Sequence, residues 1–124
     1  MNIELREDGA LEIDGRIVRF PQRIFRFVEY RDIIVVGLKV ADFDIADPMV
    51  GRNILALDRQ GKLLWRVEDH GFEYQDPDAD RLLPQPFIGL GVNSETGKLE
   101  GVLPYVYVTI DEKTGGVSDP VINR

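Results

Sequence analysis

Hydrophobic and polar positions alternate over short stretches of this chain, turn residues interrupt every few positions, and no long stretch holds a helical period. The pattern predicts an all-β fold of antiparallel hairpins and meanders. Ile3-Glu4-Leu5, Leu11-Glu12-Ile13 and Ile17-Val18-Arg19-Phe20 are separated by Asp8-Gly9 and Asp14-Gly15, dipeptides that supply the positive φ of tight hairpin turns. A small meander is expected there. Residues 24–30 and 33–40 are rich in aromatic and β-branched side chains and flank Arg31-Asp32, which predicts a hairpin. Ile24, Phe27 and Val28 would also share one helical face, so a short helix is the alternative at that point.

One hairpin pattern occurs three times. Residues 53–57 lead through Asp58-Arg59-Gln60-Gly61 into 62–67; residues 87–92 lead through Asn93-Ser94-Glu95-Thr96-Gly97 into 98–102; residues 105–110 lead through Asp111-Glu112-Lys113-Thr114-Gly115 into Gly116-Val117. In each, an Asp or Asn side chain can accept from the turn backbone, and the closing Gly suits the left-handed conformation of a bulged type I turn. The pattern is specific for hairpins and carries no catalytic content.

Residues 53–65, Asn53-Ile54-Leu55-Ala56-Leu57-Asp58-Arg59-Gln60-Gly61-Lys62-Leu63-Leu64-Trp65, resemble the repeat of quinoprotein-type (PQQ-like) β-propellers, in which a strand ending in Ala-x-Asp turns through Gly into a strand ending in Trp. Residues 105–117 resemble it more weakly, since no Trp follows. The arrangement is also similar to small bacterial proteins of uncharacterised function with propeller-blade-like hairpins. The resemblance implies two blade-like sheets, in an incomplete propeller or a sandwich. A closed propeller needs at least four blades, so no central cofactor site and no cofactor are implied. It also makes Trp65 a packing residue between sheets.

With 124 residues, 44% of them hydrophobic, the chain is expected to fold as one domain over 1–124. A net charge of −7 disfavours nucleic acid and acidic membrane surfaces as partners. Cysteine is absent, which excludes disulfides, thiolate metal sites and a thiol nucleophile. The acidic start, without an export signal, and an apolar run at 33–41 too short to span a bilayer as a helix point to the cytoplasm.

Candidate chemistry concentrates between residues 68 and 86, a stretch long for a connection and without a turn-and-strand pattern of its own. His70, the only histidine, lies beside Glu68, Asp69 and Glu73, whose charges would raise its pKa and could orient it as a general base. No nucleophile accompanies it, since Ser94 and Ser118, the only serines, belong to turn regions. Asp76, Asp78 and Asp80 are spaced like the start of a calcium loop, but Arg81 and Phe87 stand where an EF-hand needs Gly and Glu. Asp42, Asp44 and Asp47 would join such a site only if the fold brought the two segments together. No metal site follows from this spacing.

Acids alternating with His70, Phe72 and Tyr74 suit instead a basic protein surface, with carboxylates steering encounter and rings supplying anchor area. The expected binding residues are Glu68, Asp69, His70, Phe72, Glu73, Tyr74, Asp76, Asp78 and Asp80. The plainer alternative has Phe72, Tyr74, Leu82 and Leu83 packing back onto the sheet. The sequence therefore points to a non-enzymatic module that binds a basic protein or assembles with itself. Its rival is a small enzyme or metal-binding domain using His70 with Asp76, Asp78 or Asp80.

Overall fold

Short strands joined by tight turns can bury their apolar faces only by stacking as sheets, and this chain stacks them in three layers. The computed structural model describes residues 1–122. The first layer is a three-stranded meander of β1 (Ile3–Leu5), β2 (Leu11–Ile13) and β3 (Arg16–Val18). The central layer is a four-stranded meander of β4 (Ile24–Tyr30), β5 (Ile33–Leu38), β6 (Ile54–Leu57) and β7 (Leu63–Arg66). A two-stranded hairpin, β8 (Glu73–Gln75) with β9 (Leu82–Pro84), follows. The third layer is a four-stranded meander of β10 (Gly89–Val92), β11 (Leu99–Val102), β12 (Val106–Ile110) and β13 (Val117–Ile122). All pairings among these strands are antiparallel and none of the four sheets closes into a barrel.

The central sheet is buried on both faces. On one, Ile34, Val36, Leu38, Leu55 and Leu57 pack with Leu11 and Ile13 of the first meander. On the other, Val35, Ile54, Ala56 and Trp65 pack with Leu90, Leu99, Val108 and Ile110 of the third layer. Double coverage is why β5 and β6 read as continuous apolar runs, whereas β12, covered on one face, alternates buried and half-buried residues. Trp65 lies between the sheets as the blade resemblance implied, 7% exposed, with its indole N–H donating to the Glu112 carbonyl at 2.8 Å.

The three repeated turns have the expected chemistry. The side-chain oxygens of Asp58, Asn93 and Asp111 each accept two backbone N–H groups of their own turn, and the closing glycines have φ of 80°, 71° and 76°. Gly115 is doubly constrained, because a Cβ there would also lie 2.6 Å from the Trp65 ring.

Several boundaries differ from the sequence expectation. Residues 24–28 are strand and not helix, because pairing with β5 in a sheet covered on both faces outweighs the helical face of Ile24, Phe27 and Val28. The strand expected over 33–40 ends at Leu38 and passes into a 3₁₀ turn, Val40–Asp42. A second 3₁₀ turn, Pro48–Arg52, is capped by the Asp47 carboxylate, which accepts from Met49 N–H at 2.9 Å. Residues 68–86, expected to lack a strand pattern, contain the β8–β9 hairpin.

Asn53 locks the layers together. It is fully buried between the second 3₁₀ turn and β6, donates to the carbonyls of Leu38 and Phe87 at 2.9 and 2.8 Å, and accepts from Phe87 N–H at 2.8 Å. One side chain thus ties the end of β5 to the segment entering β10.

Candidate functional site

The segment carrying the candidate residues leaves β7 at a fixed point. Glu68 N–H donates to the Gly115 carbonyl at 2.9 Å, and the Glu68 carboxylate accepts from Val117 N–H at 3.3 Å. The Asp69 carboxylate accepts from Gly71 N–H at 3.0 Å and turns the chain, with Gly71 at φ 79°. The hairpin then pairs Glu73 with Pro84, Tyr74 with Leu83 and Gln75 with Leu82. Its base is anchored by buried Leu83 and by Pro84, which sits so close to Gly51 of the 3₁₀ turn that a Cβ on that glycine would lie 2.6 Å away.

His70 has a structural role at that base. Phe72 N–H donates to His70 Nδ1 at 2.9 Å, which leaves Nε2 to carry the proton and donate to the Gln85 carbonyl at 2.8 Å. The ring stacks on Phe72 at 5.8 Å and meets Phe87 edge-on at 5.3 Å. Burial lowers its pKa below the usual imidazole value, outweighing the Gln85 carbonyl and the Asp69 charge that act to raise it. This corrects the expectation that neighbouring carboxylates raise it: desolvation among rings is the larger effect. With both nitrogens engaged, the ring offers no lone pair to a substrate.

Asp76 also faces inward. It is 5% exposed, accepts from Asp78 N–H at 2.9 Å and from Arg81 Nε at 2.8 Å, and these bonds, the backbone one foremost, hold its carboxyl below the usual range. It shapes the hairpin tip. Asp78, Asp80 and Glu73 are exposed, as are Glu68 and Asp69, whose carboxylates each also accept a backbone N–H, whereas Phe72 and Tyr74 are half-buried. The fold thus gathers the acids on one element but turns the rings partly into the base, and it exposes Leu82 (59%), which the alternative reading places among the packing residues. Arg81 was missed as a partner of Asp76; its spacing of five residues across a turn was the available signal.

Among the described residues, no group of three or more His, Asp or Glu side chains is gathered closely enough to hold a metal ion. Asp42 is spent on Arg23, accepting from its backbone N–H at 2.7 Å and from its guanidinium at 2.9 and 3.0 Å, which holds its carboxyl at about 2.

A profile for a domain of unknown function, DUF7957, matches residues 1–121. The chain belongs to the DUF7957 family. No curated protein and no solved structure matches it. The DUF7957 match covers all three layers and the hairpin, so the elements described here lie within the family's domain.

Proposed function

We propose that this DUF7957 chain is a non-enzymatic protein-interaction module that recognises a basic partner through the β8–β9 hairpin and the turn leading into it. The observation that carries the reading is the hairpin's separation from both four-stranded sheets: it projects Asp69, Glu73, Asp78 and Asp80 outward while His70, Asp76 and Arg81 fix its shape from within. Exposed carboxylates on an element held by its own hydrogen bonds favour electrostatic steering, and Leu82 beside them supplies an apolar contact. The cysteine-free composition suits a cytoplasmic setting, and among the described residues no helix is long and apolar enough to cross a membrane.

The test uses the immobilised chain to capture its partner from native lysate and follows the kinetics at several salt concentrations. The combined variant Glu73→Gln, Asp78→Asn, Asp80→Asn is expected to slow association severalfold and flatten its salt dependence, and Leu82→Ala to speed dissociation. Asp76 is left intact because it holds the tip. Unchanged rates in both variants would place recognition elsewhere.

A second reading, self-association, is favoured by one observation. Val102, Tyr107 and Val121 form a cross-strand row on the outer face of the third layer, with exposed Tyr105 nearby in the chain. Sedimentation equilibrium showing only monomer at high micromolar concentration would reject it.

A further inference from the structure

The chain carries a net charge of −7, yet it holds two adjacent arginines without a carboxylate on either. Arg52 ends the second 3₁₀ turn and Arg66 ends β7, and their side chains cross. Arg52 Nε donates to the Val67 carbonyl at 2.8 Å, while Arg66 Nε donates to the Arg52 carbonyl at 2.6 Å. Each guanidinium is pinned through Nε by main chain, both residues are half-buried, and among the described residues neither pair of terminal amino groups has a hydrogen-bond or ion-pair partner. Among the described residues, Arg6, Arg19, Arg23, Arg31, Arg59 and Arg81 are matched to carboxylates, and Arg16 and Arg26, which are not, are exposed to solvent, whereas Arg52 and Arg66 are half-buried.

Two guanidiniums anchored through Nε to neighbouring carbonyls, near enough for their charges to interact and with terminal amino groups unpaired, can both donate to an oxyanion, whose several oxygens can accept from each. We propose that Arg52 and Arg66 form a binding site for a phosphate group, free or as the ester of a small molecule. Charge favours phosphate over carboxylate: a dianion balances both guanidiniums, whereas a monoanion leaves one uncompensated in a half-buried setting. Burial, then the neighbouring Arg52, lowers the Arg66 pKa, and only Asp47 acts in the opposite sense. Asp47 is occupied as the cap of the 3₁₀ turn, accepting from Met49 N–H, so it attenuates the positive field without filling the forks.

The site is distinct from the acidic hairpin, and its test does not depend on any protein partner. The full chain is titrated with inorganic phosphate at about pH 8, where the dianion dominates, and the Arg52 and Arg66 Nε–H and Val67 amide signals are followed by NMR. The expected result is a saturable shift confined to these groups, absent with chloride at matched ionic strength and much weaker with acetate. Arg52→Lys and Arg66→Lys keep the charge but lose the fork, and each should weaken phosphate by about tenfold, the equivalent of one charge-assisted hydrogen bond. Asp47→Asn keeps the cap and removes the opposing charge, so it should tighten phosphate severalfold even if a lysine variant folds poorly. A shift that is absent, equal in chloride or acetate, or unchanged in the lysine and Asp47→Asn variants would overturn the proposal.

Discussion

His70 shows how far a side chain's neighbours in sequence can mislead about its chemistry. Glu68, Asp69 and Glu73 suggest a raised pKa, but the ring is packed against Phe72 and Phe87 and its nitrogens are spent on Phe72 N–H and the Gln85 carbonyl. Its pKa is lowered in the fold, so below the ordinary imidazole value of about 6.5 the unfolded chain takes up a proton that the folded chain refuses. Stability attributable to His70 is therefore intact above that pH and is lost as pH falls through it. Urea unfolding at pH 7.5 and at pH 5.5 should show a drop for the wild type and a smaller one for His70→Asn. Since His70 is the only histidine, equal drops would assign the slope to carboxylates alone. At still lower pH, Asp42, depressed to about 2, holds its contribution above about pH 4 and loses it on descent through 2.

Among the elements, the repeated hairpins were the most legible, and the reason is local. Asp58, Asn93 and Asp111 build their turns from atoms within four residues, so the signal lies wholly in the adjacent sequence. The β8–β9 hairpin was illegible because its strands have three residues each, one of them ends in Pro84, and its stability comes from Gly51, His70 and Arg81 rather than from alternation. Arg52 and Arg66 are fourteen residues apart and meet only through the second 3₁₀ turn, which no periodicity announces. The contact of Trp65 in β7 with the β12–β13 turn gives a sharper test of element packing. Trp65→Ala removes a ring filling the space between two sheets and should destabilise by roughly 3–5 kcal/mol. Gly115→Ala should cost about 2 kcal/mol or more, since φ of 76° strains an L residue and the new methyl meets the indole. Thermal unfolding of both variants checks this. A Gly115→Ala variant as stable as wild type would mean that the β12–β13 turn does not seat the tryptophan.

For the whole molecule, the three-layer stack makes the central sheet the most protected part. Its strands β5 and β6 have apolar cover on both faces, while the β8–β9 hairpin rests on a 3₁₀ turn with most of its surface in solvent. Native-state hydrogen exchange should therefore find the β5 and β6 amides slowest, opening only with global unfolding, and the β8–β9 amides exchanging through a smaller local opening. Comparable protection in the two places would contradict the layered account. The all-β class and the individual hairpins were legible because alternation and turn spacing are short-range; how the hairpins join into four-stranded sheets and in what order the sheets stack were not, because β5 and β6 show only that both faces are covered, not by what. Connectivity has a further consequence. Among the described residues every strand pairs only with its neighbour in the chain, with no crossover in any sheet. Apart from the β5–β6 connection, residues 39–53 with its two 3₁₀ turns, the closing loops are short and the entropy spent before each pairing forms is small, so this chain belongs toward the low-contact-order end of all-β proteins, where folding is fast for the class and partly paired strands are exposed to aggregation only briefly.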